Sequence, residues 1–307
     1  MTSPAAQRRT RWAARAPLLA LLAVTAIWGS TFIVVKDAIG RMPVTDFLTW
    51  RFALAAAAML VLRPRAVTGL GPRGRRIGVL LGVALGTGYL LQTIGLQTTS
   101  ALVSGFLTGM FVVFTPLCAA VLLRERLGRT VWVAVGLATG GLALLSLKGF
   151  SVQGGELLTL GCALAFALHI VGLGRWASSF DAYGLAVVQL LTTAALCAAV
   201  AGPGGLARPP DGGVWAALLL TAIAATAVAF VVQTWAQAHL PPTKAAVVMS
   251  MEPVFSGLCA VGIAHEALTP RMLLGALLVL GAMLLTEVGP SRAPATDHLG
   301  DVARLEV

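Results

Sequence analysis

The sequence predicts an all-α membrane protein of ten transmembrane helices, laid out as two five-helix repeats of opposite orientation. Three observations predict it. Hydrophobic residues make up 58% of the 307 residues and charged residues only 11%, against roughly 25% charged in soluble domains. The apolar residues gather in long runs, and a helix needs about 20 of them to cross the hydrocarbon layer. The chain also matches itself at one fixed offset of 141 residues. The alternating ten-residue segments of a membrane β-barrel are absent.

The first run, 17–36, follows Arg8, Arg9, Arg11 and Arg15. A basic stretch before an apolar run is also the pattern of a secretory signal. Here the run continues to Val35 and further spans follow directly, so it reads as an uncleaved first helix behind a cytoplasmic segment, 1–16. Spans at 44–62, 77–97, 101–123 and 130–147 complete the first repeat, 17–147. Spans at 154–174, 182–201, 213–236, 243–263 and 270–287 form the second, 154–287. The third and eighth are the least apolar at one end, where Gln92, Gln97, Gln233 and Gln237 fall. The Arg-, Gly- and Pro-rich link 63–76 reads as a cytoplasmic loop, 202–212 as its outer counterpart, and 288–307 as a polar, disordered cytoplasmic tail.

A net charge of +10 raises the question of nucleic acid, and its placement answers it. With the N-terminus inside, 16 of the 22 basic residues fall on cytoplasmic segments, among them Arg63, Arg65, Arg73, Arg75, Arg76, Arg124, Arg126 and Arg129. This is the positive-inside bias that orients membrane proteins. It places both termini in the cytoplasm and leaves no nucleic-acid partner to invoke. Cys118, Cys162, Cys197 and Cys259 all lie within spans without a CxxC or Cys/His cluster, so they read as apolar fillers, with no metal or other cofactor implied.

At the 141-residue offset, Gln92-Thr93 meets Gln233-Thr234, Val113-Phe114 meets Val254-Phe255, Leu117-Cys118-Ala119 meets Leu258-Cys259-Ala260, and Glu125-Arg126-Leu127 meets Glu266-Ala267-Leu268. Matched Gln and Glu carry weight because polar residues are rare in such helices. Five spans per copy is an odd number, so the second copy enters the membrane from the opposite side. Inverted repeats are a recurrent plan of secondary transporters, because two opposed copies can exchange conformations and turn an inward-open cavity outward.

These residues resemble a known family. Ile27-Trp28-Gly29-Ser30-Thr31-Phe32 with Lys36 a turn later, Trp50-Arg51-Phe52, and Glu252-Pro253-Val254-Phe255 followed by Glu266-Ala267-Leu268 resemble the EamA-type repeat of the drug/metabolite transporter superfamily. Val112-Val113-Phe114-Thr115-Pro116 is the related stretch of the first repeat. The resemblance covers about 20–287 and implies ten helices, both termini cytoplasmic, and a central substrate cavity. The chain departs from the pattern at Val112, where the second repeat has Pro253, and at His265, where a glycine is usual.

Glu252 is the first candidate for the site. Nine residues into the ninth span, it lies about 14 Å deep at 1.5 Å per residue, where a charge costs roughly 2.5–3.5 kcal/mol. Burial in the bundle, a partner or a proton must offset that, and Pro253 can loosen the helix beside it. Contact with a substrate amine or a proton, and a structural bond to a neighbouring helix, are equally open. His169 in the sixth span could relay protons, though a neutral His bonded across helices is the favoured reading. Gln92 and Gln233 are symmetry mates whose amides suit a polar solute or an interhelical bond. Trp28 and Tyr89 are candidates for an aromatic cavity wall or for the core.

Arg51 and Lys36, placed near outer helix ends, are expected to snorkel toward the headgroups, with contact to a substrate carboxylate the less favoured alternative. Glu125 and Glu266 read as helix-capping carboxylates. Gly78, Gly82 and Gly86, Gly105 and Gly109, and Gly136 and Gly140 recur every four residues, a spacing that brings helices close in lipid. No GxSxG, HExxH or P-loop is present, which argues against an enzyme or an ATP motor and leaves a gradient as the energy source. The expected function is a plasma-membrane secondary transporter of a small metabolite, an amino acid or related solute, with export the expected direction. A structural subunit and a lipid-modifying enzyme are the alternatives. The expected partners are that solute and the bilayer, with proton coupling and a homodimer left open.

Overall fold

A computed structural model describes residues 4–123, 128–146, 154–202, 205–249, 251–263, 265 and 269–288. All its regular elements are helical, with no strand among the described residues. In chain order they are α1 (Pro4–Ile39), α2 (Val44–Leu62), α3 (Gly71–Thr98), α4 (Ala101–Thr108), α5 (Phe111–Leu123), α6 (Arg129–Ser146), α7 (Gly154–Trp176), α8 (Ala182–Ala201), α9 (Gly212–Ala222), α10 (Ala229–Gln237), α11 (Pro242–Met249), α12 (Glu252–Gly262) and α13 (Pro270–Val288). A π-helical turn, Ile223–Val228, joins α9 to α10.

Seven stretches are long and apolar enough to cross a membrane: Arg15–Ile39, Val44–Leu62, Thr68–Thr98, Ala101–Leu122, Gly154–Ser179, Ala182–Ala201 and Gly212–Gln237. The fifth, ninth and tenth expected spans correspond to α6, to the α11–α12 pair and to α13, which do not reach that length and apolarity over the described residues. Large apolar side chains cover the outside, Val61 and Leu62 at 80% and 81% exposure among them, while Arg51, Glu252, His169, Gln189 and Gln233 are buried. Apolar outside and polar within is the arrangement a bilayer imposes.

Several boundaries differ from expectation. Helix α1 starts before its membrane span, at Pro4, and runs on through Pro17. Helix α3 begins at Gly71, so Arg73, Arg75 and Arg76 occupy its first turns rather than a loop. Expected span four is divided by a turn at Gly109–Met110, and span nine is divided around Met251. Met110 and Met251 are related by the same 141 residues as the rest of the repeat. Pro253 therefore sits in the first turn of a new helix, where its missing N–H costs nothing; it does not loosen a continuous one. Glu125, Glu266 and the tail beyond Val288 lie outside the described residues.

The halves interlock in swapped pairs. Contact of α1 with α12 has its counterpart in α7 with α5, α1 with α10 in α7 with α3, and α1 with α11 in α7 with α4. Helices α2 and α8, mates under the repeat, pack on each other, as do α6 and α13. The α2–α8 pair is antiparallel. At one end Arg63 meets Asp181 at 3.0 Å and the Tyr183 hydroxyl donates to the Met59 carbonyl at 2.7 Å. At the other, Arg41 meets Asp211 at 2.9 Å and the Ala207 N–H donates to Asp46 Oδ2 at 3.1 Å.

The glycine spacing has two outcomes. Gly78, Gly82 and Gly86 seat α3 against α8, where added Cβ atoms would come within 2.7 Å of Val188, 2.6 Å of Thr192 and 2.9 Å of Leu196. Gly105 lets Ser256 of α12 approach α4. Gly136 and Gly140 have nothing within 4 Å among the described residues, so close packing there is not observed. Their side of α6 faces outward, beside the 60%-exposed Trp132.

Candidate functional site

A cavity at the heart of the bundle is walled by both halves. Its lining includes all six residues singled out from the sequence: Trp28, Tyr89, Gln92, His169, Gln233 and Glu252. Arg51, Thr31, Phe166 and Phe230 also face it. The cavity volume open to water is about 50 Å³, room for roughly four waters at ~10–15 Å³ each. A metabolite needs the walls to part.

Helix α2 contributes Arg51, and here the expectation of a snorkelling side chain is overturned. Arg51 is only 3% exposed. Seven residues in from the start of α2, it lies about 10 Å along the helix, and the fold offers it acceptors nearby. Its Nε–H donates to Thr226 Oγ1 at 2.8 Å, and an Nη2 hydrogen reaches the Ala225 carbonyl at 3.4 Å. Both acceptors lie on the π-helical turn, whose wider winding takes carbonyls out of the regular ladder and which often marks functional sites. The same Ala225 carbonyl accepts the Trp28 indole N–H at 2.7 Å. The guanidinium carbon stands 5.0 Å from the Tyr89 ring centre and 5.5 Å from that of Phe52, within cation–π range. Trp50, next in the same motif, reaches outward and donates its indole N–H to the Ala207 carbonyl at 3.0 Å.

Lys36 is half-buried on α1. Its ammonium donates to the Thr99 carbonyl at the end of α3, where the helix terminus carries partial negative charge.

Glu252 opens α12, and its side chain is 7% exposed. The break around Met251 puts this carboxylate at the partially positive end of a short helix, so the expectation of a mid-helix position is corrected. No ion pair joins it to Arg51 among the described residues. The guanidinium and the carboxyl group share one cavity without touching. Gly29 makes this corner possible. A Cβ there would stand 2.7 Å from the Glu252 carbonyl oxygen and 2.8 Å from the Ser256 nitrogen, so only glycine lets α1 lie against the start of α12.

The amides behave differently from one another. Gln92 Nε2 donates to Thr108 Oγ1 at 3.1 Å, tying α3 to α4. Gln233 Nε2 donates to Gln237 Oε1 at 3.0 Å, while its own Oε1 is buried with no hydrogen-bond partner. His169 of α7 donates from Nε2 to Gln189 Oε1 of α8 at 2.6 Å, and Gln189 Nε2 donates to the Leu185 carbonyl. That is the cross-helix bond favoured for this histidine over a proton relay.

The aromatic wall is continuous. Trp28 packs on Phe230 at 5.5 Å, and Tyr89 meets Phe166 at 5.3 Å and Phe230 at 6.1 Å, each edge-on. Trp28 and Tyr89 are thus cavity walls as well as core. Reasoning from the sequence undervalued Arg51 and did not find Phe166, Phe230 or the π-turn. The signal for Arg51 was present, since an arginine inside an apolar span needs a partner or a function.

A bundle that is apolar outside, polar within, and holds an arginine and a carboxyl group in a cavity between its halves is a multi-pass membrane protein. The chain belongs to the EamA-like transporter family, whose model matches twice, over 15–147 and 153–288, and it is accordingly a membrane transporter. It is 33% identical over 271 residues to an uncharacterized transporter of Archaeoglobus fulgidus, covering 88% of this chain and 85% of that one. It is 31% identical over 279 residues to an uncharacterized protein of Pseudomonas aeruginosa, covering 88% and 94%. A solved crystal structure superposes with a TM-score of 0.65 at 19% identity, covering 88% of this chain and 96% of the other, a likeness of fold alone.

Proposed function

We propose that the chain is a secondary transporter that moves a small metabolite out of the cell through the central cavity by alternating access. The observation that carries this reading is the cavity itself, which draws polar and charged walls from both halves. The antiparallel α2 and α8, the swapped helix pairs, and helix breaks at equivalent places in the two halves support an inverted repeat. Broken helices at membrane depth free backbone groups and helix ends for a solute. The architecture proposed is ten spans in the plasma membrane with both termini in the cytoplasm. The absence of a P-loop motif leaves an ion gradient or the solute's own gradient as the driving force. Glu252 is the cavity group suited to carry a coupled proton.

Reconstitution in proteoliposomes tests this. Radiolabelled amino acids, sugars and nucleobases are offered on either side, with and without a proton gradient. The expected result is protein-dependent movement of one class, lost in a Glu252→Ala variant that elutes and melts like the wild type. A folded protein that moves none of these solutes in either direction overturns the reading.

A further inference from the structure

We propose that the α2–α3 link and the first turns of α3 form a binding site for an anionic phospholipid, with the headgroup held by arginines and the acyl chains laid along α3. The site lies at one end of the bundle, apart from the central cavity, and is independent of what that cavity carries.

The first observation is that the link is folded. The Ala66 N–H donates to the Arg63 carbonyl and the Gly69 N–H to the Arg65 carbonyl, both at 3.0 Å, and Thr68–Leu70 form a 3-10 turn. Leu70 is buried in a second apolar cluster with Leu173, Leu185 and Val188 of α7 and α8. Gly71 then turns the chain into α3 at a φ of +68°, a left-handed conformation that glycine supplies without strain. A charge bias that orients a chain in the membrane needs only a number of arginines. Here they are mounted on a fixed ledge.

The second is the charge on that ledge. Arg65, Arg73, Arg75 and Arg76 are all exposed, and none of them forms an ion pair among the described residues. The ion pair of the link is that of Arg63 with Asp181 at 3.0 Å, and the Arg63 guanidinium also lies 5.7 Å from the Tyr183 ring centre. No side chain caps the start of α3, so its free N–H groups add partial positive charge at the same place. Guanidinium groups match the oxygens of a phosphate with paired N–H bonds.

The third is what adjoins the charge. At 3.6 residues per turn, Arg73, Arg75 and Arg76 lie on the same face of α3 as Val79, Leu80 and Val83. Those three are 47%, 57% and 44% exposed. The opposite face, with Gly78 and Gly82, is pressed against α8. One outward face thus passes from cations to apolar surface over about 15 Å. A soluble anion would use the cations alone. A phospholipid uses both, and basic pockets at the membrane surface are a recurrent means of holding acidic headgroups.

The test uses purified full-length protein in detergent, offered dioleoyl phosphatidylglycerol or dioleoyl phosphatidylcholine, which differ in headgroup charge and not in chains. Retained lipid is counted by native mass spectrometry, and melting is followed with each. The wild type is expected to retain phosphatidylglycerol in preference and to melt higher with it. Joint Arg73→Gln, Arg75→Gln and Arg76→Gln substitution is expected to cut that preference by about 100-fold, at roughly fivefold per arginine. Joint Arg8→Gln, Arg9→Gln and Arg11→Gln substitution removes the same charge from the start of α1 and should leave it intact. Gly71→Ala keeps every charge but strains the turn, so it too should weaken the preference, and it decides the matter if the α3 variant fails to insert. Equal loss in both triple variants reveals general surface charge and overturns the site, as does a wild type that holds the two lipids alike or an unchanged preference in Gly71→Ala. Glycerol phosphate in solution that raises melting as much as phosphatidylglycerol does makes the ledge a soluble-anion site and overturns the lipid.

Discussion

Gly29→Ala probes how α1 is seated beside the candidate site. A Cβ at residue 29 would stand 2.7 Å from the Glu252 carbonyl oxygen, where ordinary contact begins at 3.4 Å, so the helices must part by about 0.7 Å. The opposing Glu252 oxygen and Ser256 nitrogen are backbone atoms that no rotamer change can move. Overpacking of this kind costs ~1–3 kcal/mol. Alanine's better helix propensity returns ~0.8–1 kcal/mol, leaving a net destabilisation of about 1 kcal/mol. The control is Gly140→Ala on α6. There nothing lies within 4 Å among the described residues, and only the propensity gain of ~0.8–1 kcal/mol applies. Thermal melting and denaturant titration in detergent should therefore move the two variants in opposite directions. Because the displaced atoms belong to the residue that supplies the cavity carboxylate, Gly29→Ala should also weaken solute binding while Gly140→Ala leaves it unchanged. Equal or greater stability of Gly29→Ala than of Gly140→Ala would refute the close-approach argument.

Other perturbations follow from single contacts. Trp28→Phe keeps a ring against Phe230 but removes the donor to the π-turn carbonyl of Ala225; a loss of about 1 kcal/mol is expected, measured by melting. His169→Ala strands the Gln189 carbonyl oxygen in the interior and should cost ~1–3 kcal/mol in stability. The pH profile of transport should stay unchanged, and a shifted profile would restore the proton-relay role. His265 has a φ of +52°, in the left-handed region that favours glycine, so His265→Gly should raise stability by about 1 kcal/mol in the same melts. At the loop end of the α2–α8 pair, the backbone N–H of Val214 first, then Arg41 and the Gly213 N–H, hold the Asp211 carboxyl below its usual range against the opposing loss of solvation. A depressed carboxyl stabilises fully above its unfolded value of about 3.9 and loses that contribution as pH falls through its folded value. The stability gap between the wild type and Asp211→Asn should therefore stay constant between pH 5 and 8 and close only below about pH 4.

Local pattern alone determined the class and the plan. Helices in a bilayer must be apolar and long enough to satisfy their own backbone groups, so composition and run length were enough to read an all-α membrane protein. A duplicated gene keeps its few polar residues in register, so Gln92 with Gln233 announced the repeat. Buried polar groups in such helices are costly, which is why choosing the rare polar and amphipathic residues found six side chains that prove to share one cavity. The family motifs acquired reasons only in three dimensions. Gly29 is small because α12 touches it, and residue 265 favours glycine because its backbone is left-handed. The depth and direction of Arg51 depended on a π-turn 175 residues away that supplies its acceptor, and no local signal encodes that. The same holds for the break that turns Glu252 from a mid-helix residue into a helix-terminal one, and for its separation from Arg51. Each depends on where distant helices cross, and helix crossings are set by packing between halves rather than by any one segment's preference.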